Sequence, residues 1–104
     1  MVVWRENFAR LAALPNVACK LSGLLGLAPV GQRNDAATYV PVLECAVASF
    51  GWERLMWGSD WPLCDLAGSL DAWRRITGAL VSSASPTQRD ALFHANATRI
   101  YRLF

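Results

Sequence analysis

The chain has 104 residues, 54% of them apolar and 17% charged, and nine arginines and one lysine against eight acids give a net charge of +2. This is one domain's worth of chain at most, with the composition of a core-building protein rather than a disordered one. The basic residues are scattered, with no block of like charge and no basic stripe interleaved with aromatics, which argues against nucleic acid as a partner.

No apolar run reaches the roughly 18 residues of a membrane span. Pro15, Asn16 and Lys20 break the first candidate run, and Pro41 and Glu44 the second. The N-terminus lacks the charged start, apolar middle and small-residue cleavage site of a secretory signal, so a soluble, cytoplasmic chain is expected. Cys19, Cys45 and Cys64 are odd in number and widely spaced, which favours reduced thiols over a disulfide framework or a metal knuckle.

In chain order, Trp4, Phe8, Leu11 and Ala12 recur at helical spacing and predict a helix over 4–14, stopped at Pro15. Residues 16–22 predict a strand, with Val17, Cys19 and Leu21 on one face and Ala18, Lys20 and Ser22 on the other. A glycine-rich loop follows from Gly23, long enough to carry function. Asp35 is a candidate cap for a helix whose apolar face holds Tyr39, Val42, Leu43, Ala46, Val47 and Phe50, with Gly51 ending it. Residues 54–59 predict a second strand, continuous enough in apolar character to be covered on both faces. Ser69 caps a helix carrying Leu70, Trp73, Leu80 and Val81; Ser85-Pro86-Thr87-Gln88 is a capping box; Asn96 is a candidate cap for a last short helix. Alternating helices and strands predict an α/β fold with parallel strands joined by helical crossovers. Two parallel strands leave both edges open, so the pattern reads as part of something larger.

In α/β folds ligands bind beyond the carboxyl ends of the strands. Asp60 stands there, behind Gly58 and between Trp57 and Trp61 with Pro62 following, where a carboxylate can move a proton or hold a metal. Asp after a strand is also a common turn former. Lys20 and Ser22 end the first strand on one face; Lys20 is a candidate for substrate binding or a snorkelling surface lysine, and Ser22 for a turn. Arg33 in the glycine-rich loop could meet an anionic substrate, His94 has the setting of a surface or capping residue, and Trp61 is a candidate wall of the active site.

Three blocks, "LPNVACKLSGL" (14–24), "FGWERLMWGSDWP" (50–62) and "ALFHANATRIYRL" (91–103), together resemble the C-terminal part of the amidohydrolase-related family. The nearest branch is that of lactone and cyclic-ester hydrolases, including fuconolactonase-like, rhamnonolactonase-like and pyrone-dicarboxylate hydrolase-like enzymes. The resemblance implies a (β/α)₈ barrel hydrolase whose last strand ends in an aspartate acting as general base on the attacking water. In metal-dependent members that aspartate also faces a divalent cation, zinc being the expected one. Both roles, catalytic and metal-facing, carry over to Asp60, at the D of GSDWP. Lys20 and Ser22 match the KLSG block and, with Trp61, fall on the substrate side of the mouth.

The family's histidines lie upstream of anything in this chain, and a barrel takes about 250 residues. Residues 1–104 are therefore expected to be an incomplete C-terminal portion, the last two parallel strands of the barrel with their helices. One aspartate cannot supply the three protein ligands of a catalytic zinc, so no cofactor and no efficient hydrolysis are expected of the chain alone. The expected partners are a small-molecule lactone in the parent enzyme, and either further copies of the chain or a complementing N-terminal fragment. The competing reading is a non-catalytic partial-barrel module that assembles with itself or with another chain.

Overall fold

A computed structural model describes residues 2–103. Its helices are α1 (Val2–Ala12), α2 (Val40–Phe50), α3 (Leu70–Leu80), α4 (Pro86–Asp90) and α5 (Asn96–Ile100), and its strands are β1 (Cys19–Leu21) and β2 (Leu55–Trp57). The strands pair in parallel with Cys19 opposite Leu55, Lys20 opposite Met56 and Leu21 opposite Trp57. The crossover between them runs through α2, as the alternation of helical and strand patterns requires.

Both strands are shorter than the apolar pattern predicts, for identifiable reasons. Upstream of β1 the Val17 carbonyl is taken by the Arg54 guanidinium (3.0 Å) rather than by a strand, and its N–H closes a turn on the Leu14 carbonyl. Upstream of β2, residues Trp52–Arg54 form a 3₁₀ turn, so the extended chain begins at Leu55. At the other end the Gly58 N–H donates to the Leu21 carbonyl at 3.0 Å, one ladder bond beyond the strand proper.

Arg54 ties the N-terminal helix to this sheet. Its Nη2 donates to the Ala12 carbonyl (2.9 Å), its Nη1 to those of Leu14 and Val17, and its Nε to that of Phe50. The carbonyls left unpaired where α1 ends are thus capped from the bottom of β2. The helix stops at Ala12, earlier than predicted, and its apolar stripe is only partly used. Phe8 packs edge-on against Phe50 (5.1 Å) and stacks on Trp4, whereas Leu11 is 54% exposed and Ala12 is the buried member.

Asp35 does cap, but it caps a 3₁₀ turn, Ala36–Tyr39, with Oδ1 accepting from the Ala37 N–H at 3.0 Å. That turn runs directly into α2, which buries Leu43, Ala46 and Phe50 and ends at Gly51 in the left-handed region (φ 71°). Ser69 caps α3 through the Ala72 N–H, and α3 buries Trp73, Ile76 and Thr77. Ser85 and Gln88 form the reciprocal capping box at the start of α4.

Asn96 is a correction to the sequence reading. Between α4 and α5 the chain stays helical through a π-helical segment, Ala91–Ala95, so no new N-terminus exists for Asn96 to cap. Its side chain is buried and its Nδ2 donates to the carbonyls of Trp52 and Leu55. It fastens the last helical stretch to the start of β2. The core lies between β2 and the helices, with Leu55, Trp73, Ile76, Val81 and Leu92 each about 1% exposed.

Candidate functional site

The carboxyl ends of β1 and β2 come together because the strands are parallel and in register. Past β1 the chain turns at Gly23 (φ 74°), and past β2 it turns at Asp60, itself left-handed (φ 57°). Aspartate is among the few residues with a side chain that tolerate this conformation. A Cβ placed on Gly23 would stand 3.7 Å from Asp60 Oδ2, so the carboxylate lies over the turn that ends the neighbouring strand. Gly23 of the KLSG block and Asp60 of the GSDWP block, 37 residues apart in the chain, thereby meet at one spot.

Gly58 eases the close approach of the two strand ends. A Cβ there would lie 3.0 Å from Lys20 Cε and 3.0 Å from Ser22 Cβ, tight contacts in which the neighbours would have to give by a few tenths of an ångström. Its bare backbone lets the lysine stem and the serine of β1's end pass over β2. Lys20 keeps an exposed side chain and Ser22 is half-buried.

Few bonds hold the Asp60 turn. The Cys64 N–H donates to the Asp60 carbonyl (2.8 Å), the Trp61 N–H to Ser59 Oγ (3.1 Å), and the Trp73 indole N–H to the Gly58 carbonyl (2.9 Å). The Trp61–Pro62 peptide is cis. Asp60 lines a cavity of about 290 Å³ together with Gly23, Arg33, Leu63, Cys64 and Trp73. Trp61 is 64% exposed and lies outside that lining, while Arg33 lies within it. Cys64, Leu63 and Trp73 were not singled out as site residues from the sequence. Cys64 had no spacing signal, and Trp73 reads from its helical periodicity as core, which it also is.

Burial, then the neighbouring carboxylates of Asp65 and Asp60, push the Cys64 thiol up from its ordinary value. It therefore stays protonated and poorly nucleophilic. Burial likewise raises the Tyr39 hydroxyl, against an opposing pull from Arg33.

Among the described residues no group of three or more His, Cys, Asp and Glu side chains could hold a metal ion. A catalytic zinc takes three protein ligands, so these residues do not fit a self-sufficient centre; Asp60 offers one carboxylate ligand at most. His94 is exposed on the π-helical segment. No helix among the described residues is long and apolar enough to cross a membrane.

Comparison with known proteins points the same way as this geometry. The chain is 42% identical over 104 residues to an L-fucono-1,5-lactonase of Burkholderia multivorans and 38% identical to one of Burkholderia ambifaria, in each case over 96% of this chain and 35% of the relative. Two crystal structures of an amidohydrolase from Burkholderia multivorans, one with bound HEPES and one with bound zinc, superpose with TM-scores of 0.88 and 0.87 at 40% identity. They cover 97% of this chain and 37% of theirs. The chain thus spans about a third of the length of the relatives it matches. The Amidohydrolase family profile matches residues 1–103, and with the parallel β1–α2–β2 unit and the carboxylate at its end this shows that the chain belongs to the amidohydrolase family.

Proposed function

We propose that this chain supplies the closing strands and the general base of a (β/α)₈-barrel lactone hydrolase, and that it acts only when the remaining strands complete the barrel. The observation that carries the reading is the position of Asp60. It sits beyond the carboxyl end of β2, with its Oδ2 over the turn that ends β1, facing a cavity of substrate size.

In this role the Asp60 carboxylate takes a proton from water as the water oxygen bonds to the ring carbonyl carbon of a lactone. The tetrahedral intermediate collapses with cleavage of the bond between that carbon and the ring oxygen. The proton passes from Asp60 to the departing alkoxide, and the product is the open-chain hydroxy acid. Lys20, Ser22 and Trp61 are assigned to the substrate side of the mouth in the completed barrel; all three stand outside the lining of the cavity in this chain, the first two beside Gly58. Asp60 is also the chain's one contribution to a metal centre whose other ligands would come from the completing strands.

The test is complementation. Residues 1–104 are joined to the portion of the Burkholderia multivorans amidohydrolase that they do not cover, and hydrolysis of L-fucono-1,5-lactone is followed by acid release. Activity is expected, and Asp60→Asn is expected to lower turnover a hundredfold or more. An Asn variant with near-normal turnover overturns the assignment of Asp60 as base.

A further inference from the structure

Two buried aromatic side chains link the two loops that form the cavity. Trp73, from α3, is 1% exposed, lines the cavity, and spends its indole N–H on the Gly58 carbonyl two residues before Asp60. Tyr39, at the entry to α2, is 3% exposed and donates its hydroxyl to the carbonyl of Arg33 at 2.8 Å. Their rings meet edge-on, with centroids 5.7 Å apart and planes at 77°. Arg33 and Asp60, a cation and an anion on the lining of one cavity, are thus each tethered through a main-chain carbonyl to one member of a touching aromatic pair.

The pair is itself fixed from behind. The Thr77 hydroxyl donates to the Trp73 carbonyl (2.8 Å) and accepts from the Trp57 indole (3.0 Å), so α3 is keyed to the last residue of β2 at the level of the site. The Asp60 segment has few ties to other elements, while the Arg33 loop is bonded mostly to itself and through the Thr38 hydroxyl to the Gln32 carbonyl (2.9 Å). Among the described residues, past the ladder bond from Gly58, the turn through Asp60 is hydrogen-bonded to another element only by the Trp73 N–H, its remaining bonds being within 59–68. In the loop after β1, Arg33 bonds back through Nε to Ala28 within its own loop (3.3 Å), and Asp35 is occupied in capping Ala37.

We propose that Trp73 and Tyr39 form a single positioning unit that sets Asp60 and Arg33 relative to one another across the cavity. Disturbance of either aromatic group is then felt at both charged residues. Trp73 and Tyr39 are positioning residues, acting through Gly58 and Arg33. The functional sense of the unit rests on Asp60 being the base, but its existence does not.

The test uses the isotopically labelled 104-residue chain and needs no turnover. Tyr39→Phe deletes one hydroxyl, and Trp73→Phe keeps a ring while deleting the indole N–H. Trp73→Phe is expected to speed amide exchange at Cys64, whose N–H bonds the Asp60 carbonyl, by tenfold or more. In both variants the carboxyl resonance of Asp60 and the Nε resonance of Arg33 are expected to shift together. Ser85→Ala, which weakens a remote helix cap, is expected to move neither.

Exchange that rises equally through α2 and α3, or resonances of Asp60 and Arg33 that respond one without the other, would overturn the proposal. Should Trp73→Phe fail to fold, Tyr39→Phe decides alone, by whether its loss at Arg33 reaches Asp60. Loss of this coupling and retention of turnover by Asp60→Asn are separate results, so the two proposals fail independently.

Discussion

Gly58 is the residue that most tightly constrains the site, because both neighbours that would meet its Cβ come from the other strand. Ser22 Cβ sits directly on its own backbone and cannot swing aside as the end of a lysine can. Gly58→Ala should therefore cost about 1–3 kcal/mol as an overpacked contact and push Lys20 and Ser22 off the mouth. Denaturant titration would read the first effect and substrate KM in the complemented enzyme the second. The buried thiol of Cys64 gives a pH signature. Its folded value is raised, so the native state binds the proton more tightly than the unfolded chain does, and the stabilisation is complete below the ordinary 9.0 and lost as pH climbs above it. Cys19, raised by burial, acts in the same direction. The denaturation midpoint should fall above pH 9 more steeply for the native chain than for Cys64→Ala. Asp60 stood out in the sequence as a carboxylate at a strand end and at the D of the GSDWP block, although an aspartate there is also a common turn former, and it does form the turn. Arg33 and Trp73 stood out less, since their place in the lining depends on how two loops fold back.

At the scale of elements, what the pattern showed and what it hid divide along local and long-range lines. Ser69, Ser85 with Gln88, and Gly51 act within four residues of themselves, and each does what its type and spacing predict. Arg54 acts over 37 to 42 residues, and nothing local marks it as the cap of α1. Asn96 misled for the same reason: an asparagine before a helical stripe reads as a cap, while its partners lie 41 and 44 residues upstream. Strand lengths were overestimated because apolar alternation reports burial, whereas a ladder also needs partners at each step. Arg54→Ala would release three carbonyls around the end of α1 and the approach to β1, at a cost of about 2–3 kcal/mol for bonds from a charged donor. Thermal unfolding followed by circular dichroism should show that loss, with α1 protons exchanging ahead of those in α3.

For the molecule as a whole, the parallel pairing of β1 and β2 was readable from the alternation of helix and strand patterns. Among the described residues the sheet has two strands, and parallel sheets are ordinarily flanked and covered on both sides. Val2 and Val3 on α1, Leu27 and Val30 in the first loop, and Leu66 past the site are all at least 69% exposed. Open edges beside apolar surface favour association. Light scattering on the isolated chain should give a mass that rises with concentration, and co-expression with the complementary two-thirds of a relative should suppress that rise. A single monomeric mass across the range would count against it.

The wide turn at Ala91–Ala95 has a consequence for how this chain can vary. It inserts its extra residue just ahead of Asn96, and each residue of a helix advances the facing side chain by about 100°. Removing one position there would restore a regular coil and swing the amide of Asn96 away from Trp52 and Leu55. A feature resembling a flaw in the spiral is thus what sets its phase, and it makes the length of this stretch, more than its composition, the property that must be kept.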